Sequence, residues 1–475
     1  MLDPRIVDEL KSIVGERYVL TSPEDLVAYS YDATFASAKP DLVVLPDNTQ
    51  EVSEILKIAD RELIPVVPRG MGSGLAAGSI PFSGGIVLAL TRMDRLLDID
   101  HDNMMATAEA GIITSELAAA VAREGYFYPP DPTSDHYSTL GGNVACNAGG
   151  ARSLKYGITG HYVMALEVVL ADGRIMRVGG KAIKNVTGYD LVHLLVGSEG
   201  TLAVITEVTV RFIAAPEAER MAQAVFPRLT DAGKAINAVL ASGANPSMLE
   251  IMDETAIRSV EAYLHVGLPL DVEAILLIQT DGYEADAVRG IQVAAEICRE
   301  NGAREVRVAA TPDEGEEMWK ARSSISGSLG RIRPNKLGED ITVPHSAIPE
   351  MIARIKEISA KWELPIVIFG HAGDGNLHPN ILFDKRDPDE MERVKGVVGD
   401  LFRAAVEMGG SLSGEHGVGV LKRPYLEMAM GSVAVEMQKR IKQAWDPKNI
   451  LNPGKIFSVE QDQSDQDVSQ AISAA

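Results

Sequence analysis

Apolar positions in the N-terminal part of the chain switch between two periods. Val52, Ile55, Leu56, Ala59 and Leu63 recur at helical spacing, and Asn48 or Thr49 supplies an N-cap. The run Ile64 to Pro68 then predicts a short buried strand. A second helix is predicted around Thr114 to Glu124, stopped by Gly125. Val163 to Leu170 and Arg174 to Val178 flank Asp172-Gly173, a pair whose backbone freedom suits a hairpin. Thr201 to Phe212 is rich in β-branched residues and reads as a further strand.

From about Ala214-Pro216 the pattern changes. Ala222 to Phe226, Met248 to Met252 and Ala274 to Gln279 predict strands, alternating with helical patterns near 231–240, 254–263 and 284–300. A separate α+β domain follows, with an antiparallel sheet and helices on one face. Another helix over 389–408 ends at Gly409-Gly410. The expected division is a first domain over 1–215, a second over 216–425, a helical segment over 426–457 returning to the first, and a polar, disordered tail over 458–475.

Composition narrows the function. At about 150 residues per domain, 475 residues suggest about two to four domains. The net charge of −22 argues against a nucleic-acid binder, which needs a basic face. Two cysteines, Cys146 and Cys298, cannot hold a four-thiolate cluster or a disulfide framework, and both read as packing residues. Charges through Met1 to Tyr18 argue against a signal peptide, and no apolar run is long enough to span a membrane. The expected location is cytoplasmic, with any membrane association peripheral and through a partner.

Three glycine-rich segments invite a cofactor. The first is Pro68-Arg69-Gly70-Met71-Gly72-Ser73-Gly74. Residues 72–77 also match a dinucleotide fingerprint, but Gly78, Pro81, Gly84 and Gly85 forbid the helix that a Rossmann unit requires next. Such a loop holds an anion through successive backbone N–H groups, or is an ordinary tight turn. The second runs from Thr139 through Gly141, Gly142, Asn143, Cys146, Asn147, Gly149 and Gly150. Read as a loop, its small residues let a flat ring lie on the backbone, with Asn amides for a heterocycle edge. The third is Gly188-Tyr189-Asp190-Leu191, then Gly197-Ser198-Glu199-Gly200-Thr201-Leu202.

A different chemistry is suggested further on. His371 and His378 are seven apart around Gly373 and Gly375, which exclude a helix and leave a loop that can bring both imidazoles to one point. Ser413-Gly414-Glu415-His416-Gly417 is another glycine-flanked turn. Two imidazoles and a carboxylate suit Zn²⁺, Mn²⁺ or Fe²⁺; surface histidines are the alternative. Asp374 is a possible fourth ligand or a support for the turn. Thr311-Pro312-Asp313-Glu314 is a helix start, and Trp319, Arg322 and Ser326 follow at turn spacing on one face. Arg322 is either a solvated helix residue or an anion clamp.

With PRGMGSG, TLGGNVACNAGG, KNVTGYDLVHLLVGSEGTL, GHAGDGNLHPN, SGEHGVG and NPGKI in this order, the chain resembles the FAD-linked D-2-hydroxy acid dehydrogenases. These include glycolate oxidase catalytic subunits and D-lactate dehydrogenases on the vanillyl-alcohol oxidase/p-cresol methylhydroxylase type of fold. The resemblance, from about residue 20 to Phe457, implies an α+β chain. Its two FAD-binding subdomains would be joined by an α+β cap with an antiparallel sheet. It implies FAD pyrophosphate on 69–74, flavin along 139–150, and further contacts from Glu199, Gly200, Ile205 and Asn452. With no His, Cys or Tyr in Gly70-Met71-Gly72, the FAD is expected to be non-covalent.

The same resemblance implies His371, His378 and Glu415 as ligands of a divalent metal. It makes His416 the catalytic base, Arg322 the carboxylate clamp and Asn380 a substrate contact. Ser326 and Lys336 are weaker substrate candidates. The implied reaction oxidises D-lactate, glycolate or D-2-hydroxyglutarate to the 2-oxo acid, with hydride going to flavin N5. Electrons then pass to an iron–sulfur subunit, an electron-transfer flavoprotein or a quinone. A homodimer or a hetero-complex is expected. The rival readings are an alkyl-glycerone-phosphate synthase, a metal hydrolase and a non-catalytic flavoprotein subunit.

Overall fold

A computed structural model of the protein describes residues 2–458. The expected disordered tail lies outside the described residues from 459 onward. The chain forms two compact units. The first comprises residues 1–149, 158–214 and the C-terminal part from Glu415; the second comprises Gly150–Gly157 and Ala215–Gly414. The cuts follow Ala214 and Gly414, where the sequence pattern placed them after 215 and 425.

The first unit holds two larger sheets and a two-stranded pairing of Tyr126–Phe127 with Ile213–Ala214. Asn48 caps the helix Thr49–Glu62 by accepting from the Glu51 N–H at 3.0 Å. That helix connects the parallel strands Leu42–Val44 and Val66–Arg69, and Ile86–Ala89 lies between them. All three strands are almost entirely buried, which accounts for their continuous apolar character. The second sheet is antiparallel, in the order Leu96–Asp100, Met105–Glu109, Val204–Arg211, Val163–Val169, Ile175–Gly179. Its last two strands are the hairpin anticipated around Asp172-Gly173.

The C-terminal segment joins the first unit beside Val66. The Val66 N–H donates to the Ile450 carbonyl, and the Asn452 N–H donates to the Val66 carbonyl, both at 2.7 Å. Among the described residues, no helix is long and apolar enough to cross a membrane.

The second unit is one antiparallel sheet. Its order is Glu305–Val308, Ala218–Phe226, Ala274–Gly282, Met248–Asp253, Ile366–His371, Asn376–Phe383, Asn335–Gly338, with Ile341–Thr342 also paired to Asn376–Phe383. Helices Glu254–Leu264 and Pro312–Ser323 contribute Ile257, Val260 and Met318 to a core with Met252, Ile275, Val367 and Phe369. Cys298 is buried on the helix Glu284–Glu300, and burial pushes its thiol up to about 12, as befits a packing residue.

Two local expectations are corrected. The segment from Thr139 is not an open loop. Leu140–Cys146 forms a short helix, with the Thr139 hydroxyl accepting from the Gly142 N–H and Asn147 closing it in the left-handed region. Gly141 serves packing there, since a Cβ would stand 2.6 Å from the Ala110 Cβ and 2.9 Å from its carbonyl oxygen. His371 and His378 do not sit in a loop either. They lie on two hairpin strands whose turn needs Gly375 at φ +79°, where a Cβ would meet the Val343 carbonyl.

Candidate active site

The hairpin explains how histidines seven apart meet. His378 pairs with Phe369 and His371 pairs with Asn376, so both imidazoles stand on the same sheet face. Their ring centroids are 5.1 Å apart, edge to face, and both residues are buried. Glu415 follows Gly414, whose N–H donates to buried Asp340 at 2.7 Å. One ligand atom from each of His371, His378 and Glu415 can be chosen so that all lie within 4.8 Å of one another. A borderline-to-hard donor set with two imidazoles and one carboxylate fits a divalent transition metal.

Asp374 is not part of this cluster. Its carboxylate accepts the Asn376 N–H at 3.2 Å and steadies the turn. His416 is half-buried directly after Glu415.

Glu250 is the residue that pattern reading missed. It lies opposite His371 in the sheet register, on the same face, and is 1% exposed. Its Oε1 is 2.6 Å from His371 Nδ1, and its Oε2 is 2.7 Å from a terminal guanidinium nitrogen of Arg322. Burial alone would raise the Glu250 carboxyl; the facing His371 and Arg322 reverse this and hold it below the usual range. A lone Glu inside the apolar run Met248 to Met252 was the available signal.

Arg322 is not a solvated helix residue. It is 7% exposed, and its guanidinium stacks over Phe369 at 4.8 Å from the ring centroid. Its Nε–H has no hydrogen-bond partner among the described residues. Asn380 is buried on the same face as His378, and its amide donates to the His378 carbonyl at 2.9 Å. Lys336, on the neighbouring strand, hydrogen-bonds the exposed Ser326, and burial lowers its ammonium pKa.

In the first unit the glycine segments approach one another. A Cβ on Gly70 would strike the Thr139 hydroxyl, and one on Gly200 would stand 3.2 Å from Pro68. Gly72 takes φ +69°, while nothing lies within 4 Å of a Cβ built at Gly74; Met71 is exposed beside half-buried Ser73. The loop therefore leaves room beside Gly74. Ser198 Oγ in the third segment is buried with no hydrogen-bond partner among the described residues. These observations suit a bound cofactor.

Several other polar side chains of these segments are engaged within the protein. Asn143 donates to Thr114 Oγ1 and Ser138 Oγ, and Asn147 Oδ1 accepts the Gly160 N–H. Arg69 donates to Ser79 and to the Tyr31 carbonyl. The Glu199 carboxylate accepts the N–H groups of Val418 and Gly419 at 2.7 Å, and Asn452 donates to the Glu199 carbonyl. Ile205 is a buried strand residue beyond Gly200, Gly149 closes a stretch of the first unit, and Gly150 belongs to the second. Cys146 lies on the short helix, with its thiol pushed up to about 12 by burial.

The fold is that of an FAD-dependent oxidoreductase. The chain belongs to the FAD-linked oxidases: residues 215–456 match the family described as "FAD linked oxidases, C-terminal domain", and residues 40–179 match "FAD binding domain". It is 42% identical to the glycolate oxidase subunit GlcD of Bacillus subtilis, over 96% of this chain and 98% of that protein. It is 38% identical to D-lactate dehydrogenase of Archaeoglobus fulgidus, over 95% and 98%. A structure of p-cresol methylhydroxylase with substrate bound superposes with a TM-score of 0.80 at 16% identity, covering 96% of this chain and 97% of that one.

Proposed function

We propose that the chain oxidises a small D-2-hydroxy acid, D-lactate or glycolate, to the 2-oxo acid. The observation that carries this reading is the buried face on which His371, His378 and Arg322 converge, with Glu415 in reach of both imidazoles. Relatives named glycolate oxidase subunit and D-lactate dehydrogenase support the substrate class.

His371, His378 and Glu415 would hold a divalent cation. The Arg322 guanidinium, with its Nε–H available, binds the substrate carboxylate, and Asn380 contacts the substrate from the same sheet face. His416 takes the proton of the hydroxyl as general base. The bound cation would polarise that hydroxyl, and non-covalent FAD, held along 69–74, 139–150 and 197–205, would accept the hydride. Electrons then pass to a partner protein or a quinone.

The test is anaerobic. Purified protein is mixed separately with D-lactate, L-lactate, glycolate and D-2-hydroxyglutarate while the flavin band is followed. Bleaching by a D-acid or glycolate but not by L-lactate, lost after EDTA, is the expected result. No bleaching by any of the acids in FAD- and metal-loaded protein would defeat the reading.

A further inference from the structure

Resting on the metal reading above, we infer that Glu250 is a positioning residue that ties the metal-binding and anion-binding halves of the site together. Its two carboxylate oxygens face two different partners: His371 Nδ1 at 2.6 Å and Arg322 at 2.7 Å. All three side chains are at least nine-tenths buried, so water does not compete for these contacts.

The first contact sets the histidine tautomer. A carboxylate only accepts, so the proton between Glu250 and His371 belongs to Nδ1. Nε2 is then the nitrogen that presents a lone pair to a cation. A carboxylate behind a ligating imidazole also fixes the ring plane and raises its basicity. Antiparallel register reinforces this, because Glu250 and His371 are directly opposite across adjacent strands.

The second contact acts on the anion clamp. Glu250 grips one terminal nitrogen of Arg322 and leaves Nε–H without a partner among the described residues. It thereby orients the guanidinium and offsets part of its charge. One residue thus strengthens cation binding while moderating anion binding, and removing its charge should push the two in opposite directions.

The experiment uses the FAD-loaded full chain and Glu250→Gln. Zinc(II) affinity is measured by competition with a chromophoric chelator, and oxalate affinity by calorimetry in EDTA-treated protein. Zinc binding is expected to weaken by about 10- to 100-fold, with oxalate binding unchanged or tighter and thermal stability in EDTA retained. Zinc affinity within about threefold of the parent, an RT-level difference, would overturn the inference while leaving the metal reading intact. A parent chain that binds no zinc would overturn both.

If Glu250→Gln loses stability in EDTA and weakens both ligands, the parent protein decides. In zinc-loaded chain labelled with ¹⁵N-histidine, a proton resident on His371 Nδ1 supports the inference, and one on Nε2 refutes it.

Discussion

The glycine-rich segments of the first unit and the His/Glu/Arg face of the second carry their candidate chemistry in different materials. In the first, Asn143, Asn147, Arg69, Glu199 and Asn452 are engaged with other protein groups, which leaves backbone N–H groups and close approach for the proposed cofactor contacts. In the second, side chains from strands 248–253, 366–371 and 376–383 and from the helix Pro312–Ser323 meet on one buried face. A backbone site tolerates almost no added volume, whereas a side-chain site tolerates volume but not loss of a donor.

The largest effect expected from this contrast falls on a proposed metal ligand. His378→Ala removes one donor but leaves the hairpin register, which is made by backbone pairing. Turnover of the hydroxy acid should fall about a thousand-fold, equivalent to about 4 kcal/mol of transition-state stabilisation. Stability in EDTA should change little, and EDTA should bring the parent protein to a similar residual rate. Stopped-flow flavin reduction and thermal denaturation check the two halves; parent-like turnover in the variant would break the contrast.

The mirror experiment is Gly141→Val. Its Cβ would press on the Ala110 Cβ and carbonyl, and a backbone atom cannot swing aside. A stability loss of about 3 kcal/mol is expected, with loss of bound FAD. Denaturant unfolding and the flavin absorbance of purified protein report both. A stable variant that lacks FAD would instead show that this glycine faces the cofactor more than it serves packing.

The same contrast explains what was legible in the sequence. Glycine motifs are local, so the three candidate segments could be singled out along the chain, and Asn48 and Thr311 were readable as caps. Yet Thr139 to Asn147 was read as a loop, because two adjacent glycines in seven residues hide a helix held by its two caps. His371 and His378 were found because they share one short motif. Glu250 was missed because its meaning lies in pairing with His371, 121 residues away, which no local pattern encodes. Asp340 was missed likewise: it holds Gly414, 74 residues on.

One buried group in each unit is expected to respond to pH in the opposite direction to the other. In the second unit, burial raises the Asp253 carboxyl to about 7, although it accepts the Ala256 and Ile368 N–H groups. Between about 4 and 7 the folded state holds a proton that the unfolded chain has lost, so stability falls as pH rises through that window. In the first unit, burial lowers Lys455 to about 7, where it donates to the Ile80 carbonyl. Between about 7 and 10.5 the unfolded chain holds the extra proton, and stability rises with pH. Each contributes at most about 1.4 kcal/mol per pH unit. Asp253→Asn should lessen the slope only in the acid window and Lys455→Met only in the alkaline one, read from denaturant midpoints across pH. A variant that flattened the other unit's window would end the assignment.

The smallest effect is the most selective. Thr311 caps the helix that carries Arg322, accepting the Glu314 N–H at 3.3 Å. Thr311→Ala should cost about 1 kcal/mol of local stability. Arg322, however, is held at the far end of that helix by Glu250 and by the Phe369 ring. Fraying of the first turn should therefore leave the KM for the hydroxy acid within about twofold, well under the tenfold that 1.4 kcal/mol represents. Hydrogen exchange would show the loosened turn, and steady-state kinetics the unchanged KM. A KM that rose in step with the fraying would mean that the helix, and not the strand-borne Glu250, places the guanidinium, and the side-chain character of the second site would have to be redrawn around Pro312–Ser323.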